Sequence, residues 1–349
     1  MHSKLHCEMH GRVHSKVHSK IYSECTPECT AENRPTLILS HRPHRIRAKS
    51  EKSSVFTLLD AASLASTTPL DLSDAAAAPD YVAVSFYKIF GFPNVGGLIV
   101  RKDSAWPLYD RRYFGGGTVD MVVNEGQGWR AIKASQIPER LEDGTVPFSS
   151  VFVLGLAIAV HHDLYGPRPM EAISEHTTRL ACELVDELRA LKYDNGNPVV
   201  RIYRAGNVGC RSPATQGPIV ALNVLRADGT YIGYRDVEDA ANERNIYVRS
   251  GSLCNPGGTS SNLEWSPDEM RRAYEISGHS CSEPIQVLDG RPTGVVRVSL
   301  GAMSTEADID TFAAFVRELA SFECNAMSQV PAQRVESWIK GLPAVGVHV

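Results

Sequence analysis

The chain has 349 residues, 43% hydrophobic and 22% charged, which is ordinary globular material and enough for one large or two medium domains. Its net charge of −4 leaves no general nucleic-acid footprint, although residues 1–50 carry +5 and the remainder −9. The N-terminus has no apolar h-region and the longest apolar run, Val151 to Val160, has ten residues, so neither secretion nor a membrane span is expected.

Eight irregularly spaced cysteines do not suggest a disulfide framework, and mostly free thiols in a reducing, cytoplasmic setting are expected. Residues 1–50 differ from everything after them. His2, His6, His10, His14 and His18 recur every four residues, a spacing that stacks imidazoles if the segment is helical, and Cys25 and Cys29 form C-x3-C. With no core to fold onto, the segment reads as a low-complexity, disordered tail, and no metal site is assigned.

From Val55 the pattern becomes α/β. Val55–Asp60, Tyr81–Phe86 and Gly96–Arg101 read as buried strands. The run 151–160 reads as the start of a buried helix. An amphipathic helix over about 168–192 puts Ile173, Thr177, Leu180, Leu184, Leu188 and Leu191 on one stripe, and Asn195-Gly196-Asn197-Pro198 stops it. Val199–Arg204 and Gly217–Leu225 are strand-like, Tyr234–Asn245 helical and Ile246–Ser250 strand-like again. Ser266-Pro267-Asp268-Glu269 is a capping box with proline at the first helical position. Val295–Leu300 is a strand, and Thr305-x-x-Asp308 opens a last helix with Ile309, Phe312, Val316 and Leu319 inward.

Several residues carry chemistry. Lys88, in Ser85-Phe86-Tyr87-Lys88-Ile89-Phe90-Gly91, ends an apolar run, where an ammonium is costly unless it is paired, reaches solvent or is chemically committed. A lysine bound to pyridoxal phosphate as a Schiff base meets that requirement. Asp60 closes another apolar run, where a carboxylate serves as a turn residue or as the partner of a pyridine nitrogen. Ser85 and Thr145, the latter on the turn Glu142-Asp143-Gly144-Thr145, are hydroxyl donors suited to a phosphate. Cys254 lies in Gly251-Ser252-Leu253-Cys254-Asn255-Pro256-Gly257-Gly258, a loop from which a thiol can travel to a substrate. Arg297 sits within the otherwise apolar strand Val295–Leu300, where an inward guanidinium suits a carboxylate.

In order and spacing, these residues resemble class-V, fold-type-I pyridoxal-phosphate enzymes of the cysteine desulfurase group. The finer resemblance is to molybdenum cofactor sulfurases. Leu58 to Leu64, Pro69 to Ser73, Ser85 to Gly91, Tyr113 to Thr118, Cys254 to Gly257 and Pro292 to Gly294 carry it, and it covers about residues 55–322. Tyr87, where iron–sulfur desulfurases usually carry histidine, favours the sulfurase branch.

The resemblance implies an α/β fold: a partial, mostly parallel large domain over 51–165 and a smaller α+β domain over 166–325, with a tail at 326–349. It implies Lys88 as Schiff-base lysine, Asp60 as ring-nitrogen partner, and Ser85 and Thr145 as phosphate ligands, Thr145 from across a dimer interface. Arg297 is implied as the substrate-carboxylate ligand and Cys254 as the persulfide cysteine. The implied partners are L-cysteine and the molybdenum cofactor as sulfur acceptor, in a homodimer without nucleic acid or membrane.

The chain departs from the family pattern in three respects. It has only 54 residues ahead of Val55, with no histidine between His44 and His161, where the family has a phosphate loop and a ring-stacking histidine. The family's C-terminal molybdenum cofactor domain has no counterpart. Ser252 and Thr259 stand where the family has flanking cysteines. The reading is therefore of a truncated catalytic domain. Two other readings stay open: another class-V enzyme such as a lyase or transaminase, or a non-catalytic fragment with a metal-binding tail.

Overall fold

The computed structural model describes residues 36–39, 55–204, 212–214, 216–277 and 284–327. The histidine repeat, Cys25, Cys29 and the tail beyond 327 lie outside the described residues. The chain forms two compact units, Met1–Glu171 and Ala172–Val349.

In the first unit, β1 (Thr36–Leu39), β2 (Val55–Asp60), β3 (Tyr81–Ser85) and β4 (Gly96–Val100) form one sheet in that order. β1 with β2 and β2 with β3 pair parallel, and β3 with β4 antiparallel. β1 falls within the stretch read as tail, where the short run Thr36-Leu37-Ile38-Leu39 pairs with β2. Leu59, Val82 and Val84 are buried with Ala61 and Ala65, which explains why β2 and β3 read as near-continuous apolar runs.

The strand expected over Tyr81–Phe86 stops at Ser85, and Phe86–Phe90 forms the short helix α1. The Phe86 N–H donates to the Val95 carbonyl at 3.0 Å and so leaves the ladder. Gly91 ends the helix at φ 76°, a left-handed value that glycine adopts without penalty.

A hairpin follows, β5 (Val119–Val123) with β6 (Trp129–Ile132), and then α2 (Ile137–Leu141). α3 (Phe148–Tyr165) corrects the expectation of a buried helix. Only Leu154 and His161 are buried, whereas Phe148, Phe152, Leu156, Val160 and Leu164 are exposed. The helix is apolar all round, so its sequence does not select a covered side. At 18 residues it is also long and apolar enough to cross a membrane by length and composition, which removes the length argument against a span.

In the second unit, α4 (Pro169–Ala190) buries Ile173, Thr177, Leu180, Leu184 and Leu188 to 2% exposure or less, as the 3.6-residue period requires. Cys182 on α4 is disulfide-bonded, against the expectation of free thiols. Then come β7 (Val200–Tyr203), β8 (Ile219–Val224), α5 (Tyr234–Asn242), β9 (Arg249–Gly251), α6 (Pro256–Asn262) and α7 (Pro267–Ser277). β10 (Val287–Leu288), β11 (Arg291–Pro292), β12 (Val295–Ser299) and α8 (Glu306–Met327) complete the unit.

The main sheet is antiparallel throughout, in the order β7-β8-β12-β9. Leu222, Val224, Val296 and Val298 on one face join Leu180, Leu184, Phe312 and Val316 in a single core. α5 ends at Asn242, three residues short of expectation. Asn245 turns left-handed at φ 57° and the Ile246 N–H caps back to the Ala241 carbonyl at 2.9 Å. The capping box forms reciprocally: Ser266 N–H donates to Glu269 at 2.8 Å, and Glu269 N–H to the Ser266 hydroxyl at 3.2 Å.

Candidate active site

Asp60, Ser85 and Lys88 come together at the C-terminal ends of two neighbouring parallel strands. Asp60, the last residue of β2, is the register partner of Ala83 in β3; Ser85 lies two residues beyond that row and Lys88 in the turn of α1 that follows. Ligands of open α/β sheets collect at such carboxyl ends.

One Asp60 oxygen accepts from the Ala62 N–H at 3.0 Å, and the other has no partner among the described residues. The Lys88 ammonium is exposed, 5.9 Å from the Tyr87 ring centroid, and no carboxylate among the described residues pairs with it. The Ser85 hydroxyl makes no capping bond to α1. An amine for an aldehyde, a carboxylate for a ring nitrogen and a hydroxyl for a phosphate thus stand at one sheet edge without engaging each other. That donor set fits pyridoxal phosphate. Thr145 belongs to a different contact system: the neighbouring Gly144 N–H donates to the Gly116 carbonyl at 2.6 Å.

In the second unit, Arg297 lies in mid β12, opposite Ala221 of β8 and Arg249 of β9. Its Nε is buried with no partner among the described residues. An unmet buried charged donor is costly, and a carboxylate ligand would satisfy it. Two residues along β8 from Ala221, on the same sheet face, Asn223 is fully buried; its Nδ2 donates to the Gly294 carbonyl at 3.2 Å while its Oδ1 has no partner. Sequence reasoning did not single out Asn223, although a polar residue within the apolar run Ile219–Val224 was the available signal. Tyr203 on β7, the register partner of Ala221 and so in the row of Arg297, has its phenol pushed far above the usual range by burial.

Cys254 follows three residues after the end of β9, with its thiol free and exposed. Leu253 and Cys254 are both left-handed, at φ 58° and 56°. A Cβ at Gly294 would lie 2.7 Å from the Gly251 Cα, so the base of this loop closes tightly on the neighbouring chain. Beyond the thiol, the Asn255 side chain accepts from the Gly258 N–H at 3.1 Å and opens α6. Thr259 donates from its hydroxyl to the Ser252 carbonyl at 3.1 Å, so these two residues brace the loop on either side of the thiol.

The chain is 50% identical over 272 residues to the molybdenum cofactor sulfurase of Aspergillus niger, covering 78% of this chain and 33% of that protein. It is 48% identical over 307 residues to that of Neosartorya fischeri, covering 85% and 36%. The chain therefore spans about a third of the length of the curated relatives it matches. Among solved structures, the apo cysteine desulfurase of Thermococcus onnurineus superposes with TM-score 0.55 at 20% identity, over 82% of this chain and 60% of that one. The Escherichia coli cysteine desulfurase CsdA does so with TM-score 0.54 at 18% identity, over 80% and 55%. These likenesses establish the fold expected from sequence, that of the pyridoxal-phosphate enzymes of fold type I. The aminotransferase class-V profile matches residues 43–312, most of the chain, and the chain belongs to that family.

Proposed function

We propose that this chain carries cysteine desulfurase chemistry of the molybdenum cofactor sulfurase type. The observation that carries the reading is the placement of Asp60, Ser85 and Lys88 at one end of β2 and β3. Lys88 would hold pyridoxal phosphate through its amine, Asp60 would keep the ring nitrogen protonated, and Ser85 and Thr145 would take the phosphate. When bound, the cofactor supplies an electron sink for charge developing at the substrate Cα.

Arg297 would orient L-cysteine through its carboxylate, which meets the unpartnered Nε. The Lys88 amine, free once the substrate has taken its place, would move the Cα proton. The Cys254 thiolate would attack the substrate sulfur: a sulfur–sulfur bond forms, the Cβ–S bond breaks, and its electron pair stays with the substrate carbon, which is protonated to alanine. The outer sulfur of the Cys254 persulfide would then replace an oxo ligand of the molybdenum cofactor as sulfide: two external thiols supply the two electrons and become a disulfide, the oxo oxygen leaves as water, and the Cys254 thiol is restored. The relatives of that name support this acceptor. A homodimer in the cytoplasm, with no nucleic-acid or membrane partner, completes the reading.

The test is reconstitution with pyridoxal phosphate, borohydride reduction and peptide mapping, followed by L-cysteine and intact-mass analysis. Label on Lys88, alanine release and one added sulfur on Cys254 are expected. Well-folded protein with an unmodified Lys88 would overturn the proposal.

A further inference from the structure

We propose that Arg111 and Asp143 are positioning residues for Thr145, locking a glycine loop against the Gly144–Thr145 turn so that the two together receive a phosphate monoester. This rests on the reading above in which Thr145 takes the cofactor phosphate.

The Arg111 guanidinium binds on two sides. One nitrogen donates to the carbonyls of Arg140 at 3.2 Å and Leu141 at 2.9 Å, at the end of α2, and the other pairs with Asp143. The second Asp143 oxygen accepts the Gly115 N–H at 2.6 Å. One residue further on each strand of the contact, the Gly144 N–H donates to the Gly116 carbonyl at 2.6 Å. A Cβ at Gly115 would lie 2.7 Å from the Asp143 Cβ, so no larger residue permits this approach.

The far end of the glycine loop is fixed too. Thr118 is fully buried and donates from its hydroxyl to the Gly115 carbonyl at 2.6 Å. The Phe114 ring, just before the loop, lies against two cations, Arg111 at 5.3 Å and Arg130 at 4.4 Å. The Gly115 N–H, and after it Arg111, hold the Asp143 carboxyl below its usual range, so the clamp stays charged at neutral pH.

What the clamp leaves open matters most. The amides of Gly116, Gly117 and Thr145 and the Thr145 hydroxyl donate to no acceptor among the described residues. Open backbone N–H groups and a hydroxyl on two turns held against each other, with Gly117 and Gly144 left-handed at φ 87° and 75°, suit a group with three acceptor oxygens. Neither Arg111 nor Asp143 needs to touch that group. They act by holding Thr145 and the glycine amides in place.

The experiment compares affinity for pyridoxal phosphate with affinity for pyridoxal, which lacks the phosphate, in the full chain. Thr145→Ala and Asp143→Ala are each expected to weaken pyridoxal phosphate about tenfold and to leave pyridoxal within about twofold. The double variant should lose less than the two single losses multiplied together, because Asp143 acts through the same loop that carries Thr145. Asp143→Asn, which keeps an oxygen for the Gly115 N–H, should fall between wild type and Asp143→Ala, and it carries the comparison alone if the alanine variant does not fold. Equal loss for both ligands, or multiplying losses in the double variant, would overturn the proposal.

A titration with inorganic phosphate, read at the Thr145 amide, separates this inference from the function it rests on. A Thr145 response that Asp143→Ala abolishes, without capture of cofactor by Lys88, supports the clamp and sinks the desulfurase reading. No Thr145 response to phosphate or to pyridoxal phosphate sinks the clamp, whatever Lys88 does.

Discussion

Asp80 and Thr57 hold each other across the first sheet by three hydrogen bonds. The buried Asp80 carboxylate accepts the Thr57 N–H at 2.8 Å and its hydroxyl at 2.9 Å, while the Asp80 N–H donates back to the Thr57 hydroxyl at 3.1 Å. The Ser104 hydroxyl binds the other carboxylate oxygen at 2.6 Å. This knot sets β3 against β2 at the end opposite Lys88. Asp80→Leu leaves those donors unmet and is expected to cost about 2–4 kcal/mol, read as lost hydrogen-exchange protection in β2 and β3.

Arg297→Ala removes the guanidinium proposed to hold the substrate carboxylate. The expected result is a rise in KM for L-cysteine of about 10–100-fold, measured by alanine release, with a smaller change in kcat. An unchanged KM would remove Arg297 from substrate binding.

Glu269 gives a pH prediction. The Ser266 N–H first, then the Ser266 hydroxyl and Arg291, hold its carboxyl down to about 2 from an ordinary 4.5. A lowered carboxyl contributes stability above its unfolded value and loses it as pH falls. Protection of the α7 amides should therefore decline between about pH 4.5 and pH 2, and Glu269→Gln should flatten that decline. A Glu269 carboxyl titrating in NMR at its ordinary value would contradict the geometry.

Leucines on two helices should respond unequally. Leu184→Ala, at a fully buried site on α4, is expected to cost about 2–5 kcal/mol by denaturant unfolding. Leu164→Ser, at a site 69% exposed on α3, should cost less than about 0.5 kcal/mol in the isolated chain.

The sequence was most legible where a single period or a local capping rule decides structure. The stripe from Ile173 to Leu188 and the Ser266–Glu269 box needed no knowledge of neighbours. α3 shows the limit. Its residues from Phe148 to Tyr165 are apolar on every side, so helix was readable but burial was not. The β5–β6 hairpin carried a five-residue connection with Gly126 and Gly128, yet its strands are largely exposed and lack the alternation that marks a half-covered strand.

The proposed site divides in the same way. Asp60, Ser85 and Lys88 were readable because each sits where a strand gives out, within a few residues of its neighbours in the fold. Arg111 and Asp143 lie beside or within the same informative strings, but their contact spans 32 residues and depends on how two turns meet. Only the folded chain shows it.

Leu253 and Cys254 stand one after the other in a backbone region that disfavours side chains, by about 1–2 kcal/mol each. A departure of this segment from its resting shape therefore begins with a refund of that energy rather than a barrier made of it. The sulfur-bearing residue thus rests in a backbone conformation it gains by leaving, next to the close approach of Gly251 and Gly294.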